Sequence, residues 1–198
     1  MFRAGPVWVV SPADLVDVVE CPHRSVLHQA RAAHQEGAPT PQIVDPLAGE
    51  AREELVEAEL RRLRALFGGD AVATVAPPRP VLDEVHVAAQ STREAIRDRV
   101  PVIHHGVVVA PIQPGVLLFG QVDFLIATTV DPETGACREG VPAGYEPWQA
   151  VGHATPRTIV ELAACATMLA DTLPQAPEFL HVRSENGHHA LRVSDYVP

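Results

Sequence analysis

The most strand-like segment of the chain is Val116-Leu117-Leu118-Phe119-Gly120-Gln121-Val122-Asp123-Phe124-Leu125-Ile126-Ala127-Thr128-Thr129. β-branched, aliphatic and aromatic residues fill this segment. Similar runs at residues 102–110 and 145–151 precede and follow it, separated from it by proline or glycine turns. The three runs predict neighbouring strands of one sheet. Farther on, Asn186-Gly187 stands between apolar runs at 179–183 and 189–193 and predicts a final hairpin.

Helix signals lie on both sides of these strands. Ser11 followed by Pro12 is typical of a helix start, with the serine as N-cap and the proline in the first turn. The apolar spacing of residues 49–67 and 157–173 predicts two helices that flank the sheet. The remaining predicted elements are helices at 12–20, 23–35 and 90–99, a proline-rich loop at 38–46, and short strands at 2–10 and 70–75.

Composition limits the classes of protein that fit. A chain of 198 residues fits one domain, here a mostly helical part at 1–100 and a sheet-bearing core at 101–198. The formal charge of −10 disfavours sequence-independent binding to nucleic acid. The cysteines at positions 21, 137 and 165 are too far apart for a zinc knuckle or a disulfide framework. Neither a signal peptide nor a membrane span is indicated, so we expect a cytoplasmic protein with no membrane partner.

Five separated motifs, in order along the chain, resemble the RecB-like branch of the PD-(D/E)xK nucleases. The resemblance is greatest to the nuclease domain at the N-terminus of some bacterial helicase-related proteins. It implies an α/β fold: a PD-(D/E)xK restriction-endonuclease-like core with a small mixed sheet from about residue 102, flanking helices and a helical N-terminal part. The motifs are Ser11 to His23 with Glu20-Cys21-Pro22, Gly49 to Glu53, Gly120 to Leu125, Tyr145 to Val151, and Glu161 to Cys165.

The resemblance also implies where catalytic residues would stand, and most of those positions have changed. Asp123 matches the first metal-binding carboxylate. Arg52 stands where a metal-binding histidine is expected, and a guanidinium has no lone pair for a metal. Gln149 replaces the second carboxylate and Val151 the catalytic lysine, while Glu161 and Cys165 replace a glutamine and a tyrosine that contact DNA. All fifteen basic side chains are arginine, so no lysine elsewhere can substitute.

These replacements argue against the chemistry of the family. Metal-assisted phosphodiester cleavage needs oxygen ligands that hold Mg²⁺, and Asp123 supplies only one carboxylate. Asp123 and Glu146 are the weak metal candidates, with Glu146 expected on the opposite strand face from Gln149 and Val151. No cofactor is therefore expected. We predict instead that Asp123 and Gln149 lie on neighbouring strands and that the Arg52 guanidinium pairs with Asp123 in place of a metal.

Three functional hypotheses remain open at this point. The first is a catalytically degenerate RecB-like nuclease domain, kept as a nucleic-acid or protein interaction module in DNA processing. The second is an active DNA nuclease that uses Mg²⁺ or Mn²⁺ at a displaced constellation of Asp123, Glu146 and Glu161. The third is an unrelated small binding protein. Because relatives continue into a cysteine-bearing C-terminal extension, we also expect this chain to lack that segment and to self-associate or depend on a protein partner.

The histidine pairs His104-His105 and His188-His189 are the other candidate ligands. Neighbouring residues of a regular strand point to opposite faces of the sheet. The pattern therefore predicts that neither pair chelates a metal as a unit.

Overall fold

The computed structural model describes residues 1–33 and 46–197, and in them it shows a mixed α/β fold with five helices around an eight-stranded sheet. No helix among these residues is both long and apolar enough to cross a membrane. The elements in chain order are β1 Phe2–Ala4, β2 Val7–Val10, α1 Pro12–Glu20, α2 Pro22–Ala32, α3 Pro46–Phe67, β3 Val72–Thr74, α4 Leu82–Arg97, β4 Val102–Gln113, β5 Val116–Ala127, β6 Tyr145–Ala150, α5 Pro156–Ala170, β7 Phe179–Ser184 and β8 Gly187–Arg192.

The sheet divides into two arms along one edge of β5. β4 pairs with β5 along nearly its whole length and occupies the other edge. On the dividing edge, β2 pairs in parallel with residues 116–118, and β6 pairs antiparallel with residues 124–127. Among the described residues, positions 119–123 between the two arms have no strand partner on this edge. We call this interval the fork, and Asp123 lies at its β6 end.

The arms are completed by short strands and a hairpin. β1 pairs antiparallel with β2, β7 pairs in parallel with β6, and β8 pairs antiparallel with β7. β3 pairs in parallel with the first residues of β4. We predicted a sheet formed from about residue 102 onward. The sheet is larger, because three strands from the first hundred residues also join it. The predicted mixed α/β class is confirmed.

Several local predictions are confirmed by the backbone. α1 begins at Pro12 behind a capping box, in which the Ser11 hydroxyl accepts from the Asp14 amide while the Asp14 carboxylate accepts from the Ser11 amide. The predicted hairpin at residues 179–193 forms, with Gly187 at a φ of 109°. The predicted end of the second helix at Gln35 and the loop at 38–46 fall, apart from Pro46, outside the described residues.

Two helix starts differ from the prediction. α3 begins at Pro46 rather than at residue 49. α4 begins at Leu82, eight residues before the predicted start at 90, because the helical spacing of its buried side chains already starts at Val85. Those buried residues are Val85, Ala88, Ala89, Thr92 and Ala95.

Close packing of α5 against β5 fixes one side of the fork. A Cβ atom built on Gly120 would lie 2.6 Å from both Cys165 Sγ and Met168 Cε. Glycine is therefore needed here for the approach of the helix to the strand. Cys165 and Leu162 of α5 are almost fully buried in the same core as Trp148, Phe124 and Leu125 of the sheet.

Candidate functional site

Asp123 is held at the fork by two hydrogen bonds, one to each carboxylate oxygen. Arg52 Nη2 of α3 donates to Oδ1 at 2.8 Å, and the backbone amide of Ala150 in β6 donates to Oδ2 at 2.9 Å. Asp123 and Gln149 each lie one residue beyond the last β5–β6 pair, Phe124 and Trp148. The structure thus confirms that Asp123 and Gln149 are on neighbouring strands and that Arg52 pairs with Asp123.

The two side chains of the Arg52–Asp123 pair differ in their exposure to solvent. The side chain of Asp123 is 8% exposed, whereas that of Arg52 is 46% exposed. Burial raises the pKa of Asp123 above its ordinary value, and Arg52, the Ala150 amide and His105 offset that rise only in part. Water screens the exposed guanidinium but not the carboxylate, so ionised Asp123 depends strongly on Arg52.

Further charges near the fork are paired with one another. Arg157 at the start of α5 donates to Glu161 at 3.0 Å and to Asp17 of α1 at 2.8 Å. Arg24 of α2 donates to the same Asp17 oxygen at 3.0 Å. Although burial opposes it, these two arginines lower the pKa of Asp17. The result is an ionic network that joins α1, α2 and α5.

The other residues implied by the resemblance do not form a polar catalytic group. Gln149 is buried, and its Oε1 atom has no hydrogen-bond partner. The backbone amide of Val151 donates to the Arg183 carbonyl at 2.9 Å, and its side chain offers no polar atom. Burial raises the pKa of the Cys165 thiol to about 12, so Cys165 is an inert core residue against Gly120. Burial also raises the pKa of Glu161, and Arg157 offsets that effect only in part.

The described residues do not fit a metal at Asp123. Both of its oxygens already accept hydrogen bonds, and a permanent cation lies 2.8 Å from Oδ1. Asp123, Glu146 and Glu161 do not bring ligand atoms within 4.8 Å of one another; within residues 1–33 and 46–197 only Asp14, Asp17 and His28 do so. The carboxylates of that trio are bonded to Ser11, the Met1 amine and two arginines, so the trio is a structural ionic cluster.

Two open cavities border the Arg52–Asp123 pair. A cleft of about 1030 Å³ lies between the first half of α3 and the connection from β6 to α5. A smaller pocket of about 430 Å³ contains Asp123, His105 and Gln121. Carboxylates outnumber arginines in the cleft, which is lined by Glu50, Glu53, Glu54, Glu57 and Glu185 together with Arg52 and Arg61.

The expectation that His104 and His105 point to opposite faces of the sheet is wrong, whereas the expectation that they do not chelate a metal as a pair stays a prediction. His105 adopts a φ of 58°, which breaks the alternation of β4 and brings the two ring centroids to 3.8 Å. Both ring nitrogens of His104 and Nδ1 of His105 are buried without a hydrogen-bond partner. Burial, with smaller contributions from His105 and Arg64, lowers the pKa of His104 to about 4. The two rings therefore form a neutral stack beside Phe124.

A second buried polar cluster, which the sequence did not indicate, lies along β6, β7 and β8. Glu146 Oε2 is 2.7 Å from His181 Nε2, and His181 Nδ1 is 2.8 Å from His188 Nε2. The Trp148 ring stacks on both imidazoles with centroid distances of 4.3 Å. Glu146 is therefore committed to His181 and is not a ligand beside Asp123. A separation of 35 residues between Glu146 and His181 leaves no local signal in the sequence.

Comparison with known proteins gives no match to this chain, whether by protein-family model, by curated protein or by solved structure. The likeness to RecB-like nucleases therefore rests on the sequence motifs alone.

Proposed function

We propose that this chain is a RecB-like nuclease-type domain without catalytic activity, which serves as a protein interaction module. The observation that carries the proposal is the 2.8 Å hydrogen bond from Arg52 to Asp123. The resemblance assigns these two positions to metal ligands, and the side chains present form an ion pair there instead. A guanidinium cannot ligate a metal, and its charge repels one.

The remaining chemistry of cleavage is also missing. A hydrolytic metal site must polarise the phosphate and activate water through several oxygen ligands. Gln149 offers a neutral amide, Val151 offers no cation, and Glu161 is bonded to Arg157. An ion-paired fork of this kind supports a role in holding the fold together rather than in turnover.

Charge favours a protein partner over DNA. The cleft beside Arg52 contains five glutamates and two arginines, and Arg52 is already engaged by Asp123. The chain as a whole carries a formal charge of −10. Binding to a phosphate backbone gains most of its free energy from arginine and lysine contacts that release counterions. A cleft with this balance of charge disfavours such contacts.

A cleavage assay tests the proposal directly. We expect the purified chain to leave single- and double-stranded DNA intact in the presence of Mg²⁺ or Mn²⁺. The matched control is Asp123→Ala, which removes the one retained carboxylate. Metal-dependent cleavage that disappears in Asp123→Ala would establish the displaced-site nuclease and overturn the proposal.

A reverse experiment tests the family likeness separately. The triple variant Arg52→His, Gln149→Asp, Val151→Lys reinstates the residue types that the resemblance implies. We expect it to gain measurable Mn²⁺ binding by calorimetry, while the parent chain shows none. A folded triple variant that binds no metal would mean that the motif positions do not converge as they do in a nuclease, and would favour the unrelated binding protein.

A further inference from the structure

The hydrogen bonds along the Glu146–His181–His188 chain determine which atom donates and which accepts at each contact. Glu146 Oε1 accepts from the Phe179 amide at 3.2 Å, and Oε2 contacts His181 Nε2 at 2.7 Å. An ionised carboxylate only accepts, so His181 Nε2 must carry a proton. The next contact, from His181 Nδ1 to His188 Nε2, has one proton between two nitrogens, and either nitrogen can donate it.

The protonation state of His181 decides whether His181 Nδ1 or His188 Nε2 is the donor in the hydrogen bond between the two rings. When His181 is neutral, its Nδ1 is bare and must accept, so His188 Nε2 donates and His188 Nδ1 is left without a proton. When His181 is protonated, its Nδ1 donates, His188 Nε2 accepts, and the proton of neutral His188 moves to Nδ1. One added proton therefore reverses the tautomer of His188.

The outer end of the chain faces a carboxylate. His188 Nδ1 lies 3.8 Å from Glu133 Oε1, in the loop at residues 128–144 that connects β5 to β6. A bare Nδ1 turns its lone pair toward the Glu133 carboxylate, whereas a protonated Nδ1 turns an N–H group toward it. The 3.8 Å separation is longer than a hydrogen bond, so the loop must move closer for the N–H to donate. Arg183 also pairs with Glu133, and Arg62 of α3 donates to the Pro132 carbonyl at 2.8 Å, so the loop stays attached in either state.

We propose that Glu146, His181 and His188 form a one-proton tautomer switch, in which proton uptake on His181 turns His188 Nδ1 into a donor to Glu133 and tightens the 128–144 loop. The loop is tight at low pH and looser at high pH. The switch is independent of the proposed function, because none of its groups belongs to the Arg52–Asp123 site.

The surroundings disfavour a second proton on the outer ring, that of His188. Burial, together with His181 and Arg183, lowers the pKa of His188 to about 4, and Glu133 and Glu59 oppose this only in part. The side chain of His181 is 8% exposed and lies against Glu146, whereas that of His188 is 22% exposed. The charged and titratable groups that face the pair are Glu146 from β6, Arg183 from β7, Glu59 from α3 and Glu133 from the loop.

Glu146→Gln gives a sharp test, because it fixes the switch in one state. The Phe179 amide requires an acceptor, so the glutamine oxygen takes the Oε1 position and its amide group faces His181. His181 Nε2 must then accept, Nδ1 donates, and His188 carries its proton on Nδ1 without any uptake. We expect Glu146→Gln to show the low-pH tautomer of His188 at every pH.

The readouts are the ¹⁵N chemical shifts of the histidine rings and the amide exchange of the 128–144 loop. In the parent chain, the protonated nitrogen of His188 should change from Nε2 to Nδ1 as His181 takes up its proton. At high pH the loop of Glu146→Gln should exchange about threefold more slowly than the parent loop, the effect expected of one hydrogen bond. The matched control His189→Gln alters the exposed neighbour of His188 and should behave as the parent does.

Either of two results would overturn the switch. One is a His188 tautomer that stays the same while His181 titrates in the parent chain. The other is equal loop exchange in the parent and in Glu146→Gln at high pH. If Glu146→Gln fails to fold, His188→Gln is the second test. Amide exchange of the 128–144 loop, corrected for the intrinsic effect of pH on exchange, should then lose its pH dependence. A pH dependence that remains in His188→Gln excludes the switch.

Discussion

Two buried carboxylates on neighbouring strands, Asp123 and Glu146, are neutralised in different ways. Asp123 at the fork meets a guanidinium and a backbone amide. Glu146, in the adjoining strand β6, meets a backbone amide and an imidazole that is hydrogen-bonded to a second imidazole. The first partner is a permanent cation, whereas an imidazole carries a charge only in its doubly protonated form.

The difference separates a contact with a permanent cation from a contact with an aromatic cluster. The arginine partner keeps its charge at any physiological pH, so the contact between α3 and the fork weakens only when Asp123 itself becomes protonated. The histidine partner of Glu146 is instead part of a stacked aromatic cluster with Trp148. Stability measurements on the two sites should therefore differ in size.

The largest effect should come from the histidine cluster. Trp148 is 2% exposed and stacks on both imidazoles, so Trp148→Ala removes a large buried ring and the support of two others. We expect the free energy of unfolding to fall by about 3–5 kcal/mol in urea denaturation. Trp8→Ala, in the partly exposed strand β2, is the control and should cost less. Equal losses would mean that the cluster adds no stability beyond ordinary burial.

A smaller loss is expected at the fork. Arg52→Ala leaves the Asp123 carboxylate buried with only the Ala150 amide as partner. Because Arg52 is half-exposed and partly screened, we expect a loss of about 1–2 kcal/mol near neutral pH. The loss should shrink at acidic pH as Asp123 becomes protonated. Arg61→Ala, on the same helix and in the same cleft, is the control and should be nearly neutral.

The smallest effect is a change in pH dependence. Burial raises the pKa of Asp123 in the folded chain, so the folded state holds this proton more tightly than the unfolded state does. The corresponding stability is complete below the unfolded pKa and is lost as pH rises through the folded pKa. Asp123→Asn should remove this part of the stability–pH curve. Parallel curves for the two proteins would show that Asp123 titrates as it does in the unfolded chain.

Elements with a local cause could be predicted from the sequence. The Ser11 cap predicted α1, runs of strand-forming residues bounded by turns predicted β4, β5 and β6, and Asn186-Gly187 predicted the last hairpin. The Arg52–Asp123 pair, whose members are 71 residues apart, was predicted only because ordered motifs put both in one site.

What could not be predicted depends on long-range pairing or on a single backbone angle. Nothing in Val7–Val10 indicates that this strand pairs in parallel with residues 116–118 to create the fork. His105 has a positive φ although it is not a glycine, and this backbone angle changed the expected direction of its side chain. The Glu146–His181–His188 chain forms only when three strands come together.

The contact between Gly120 and Cys165 also bears on how such a chain can evolve. A tyrosine at position 165, as the resemblance implies for an active relative, would have to occupy space that the strand backbone now fills, since even one extra carbon at Gly120 would lie 2.6 Å from the Cys165 sulfur. A tyrosine at position 165 would therefore lower stability before it added any contact with a substrate. Such a mutation would be selected against, so the packing of α5 acts as an evolutionary constraint that keeps the side chain at position 165 small.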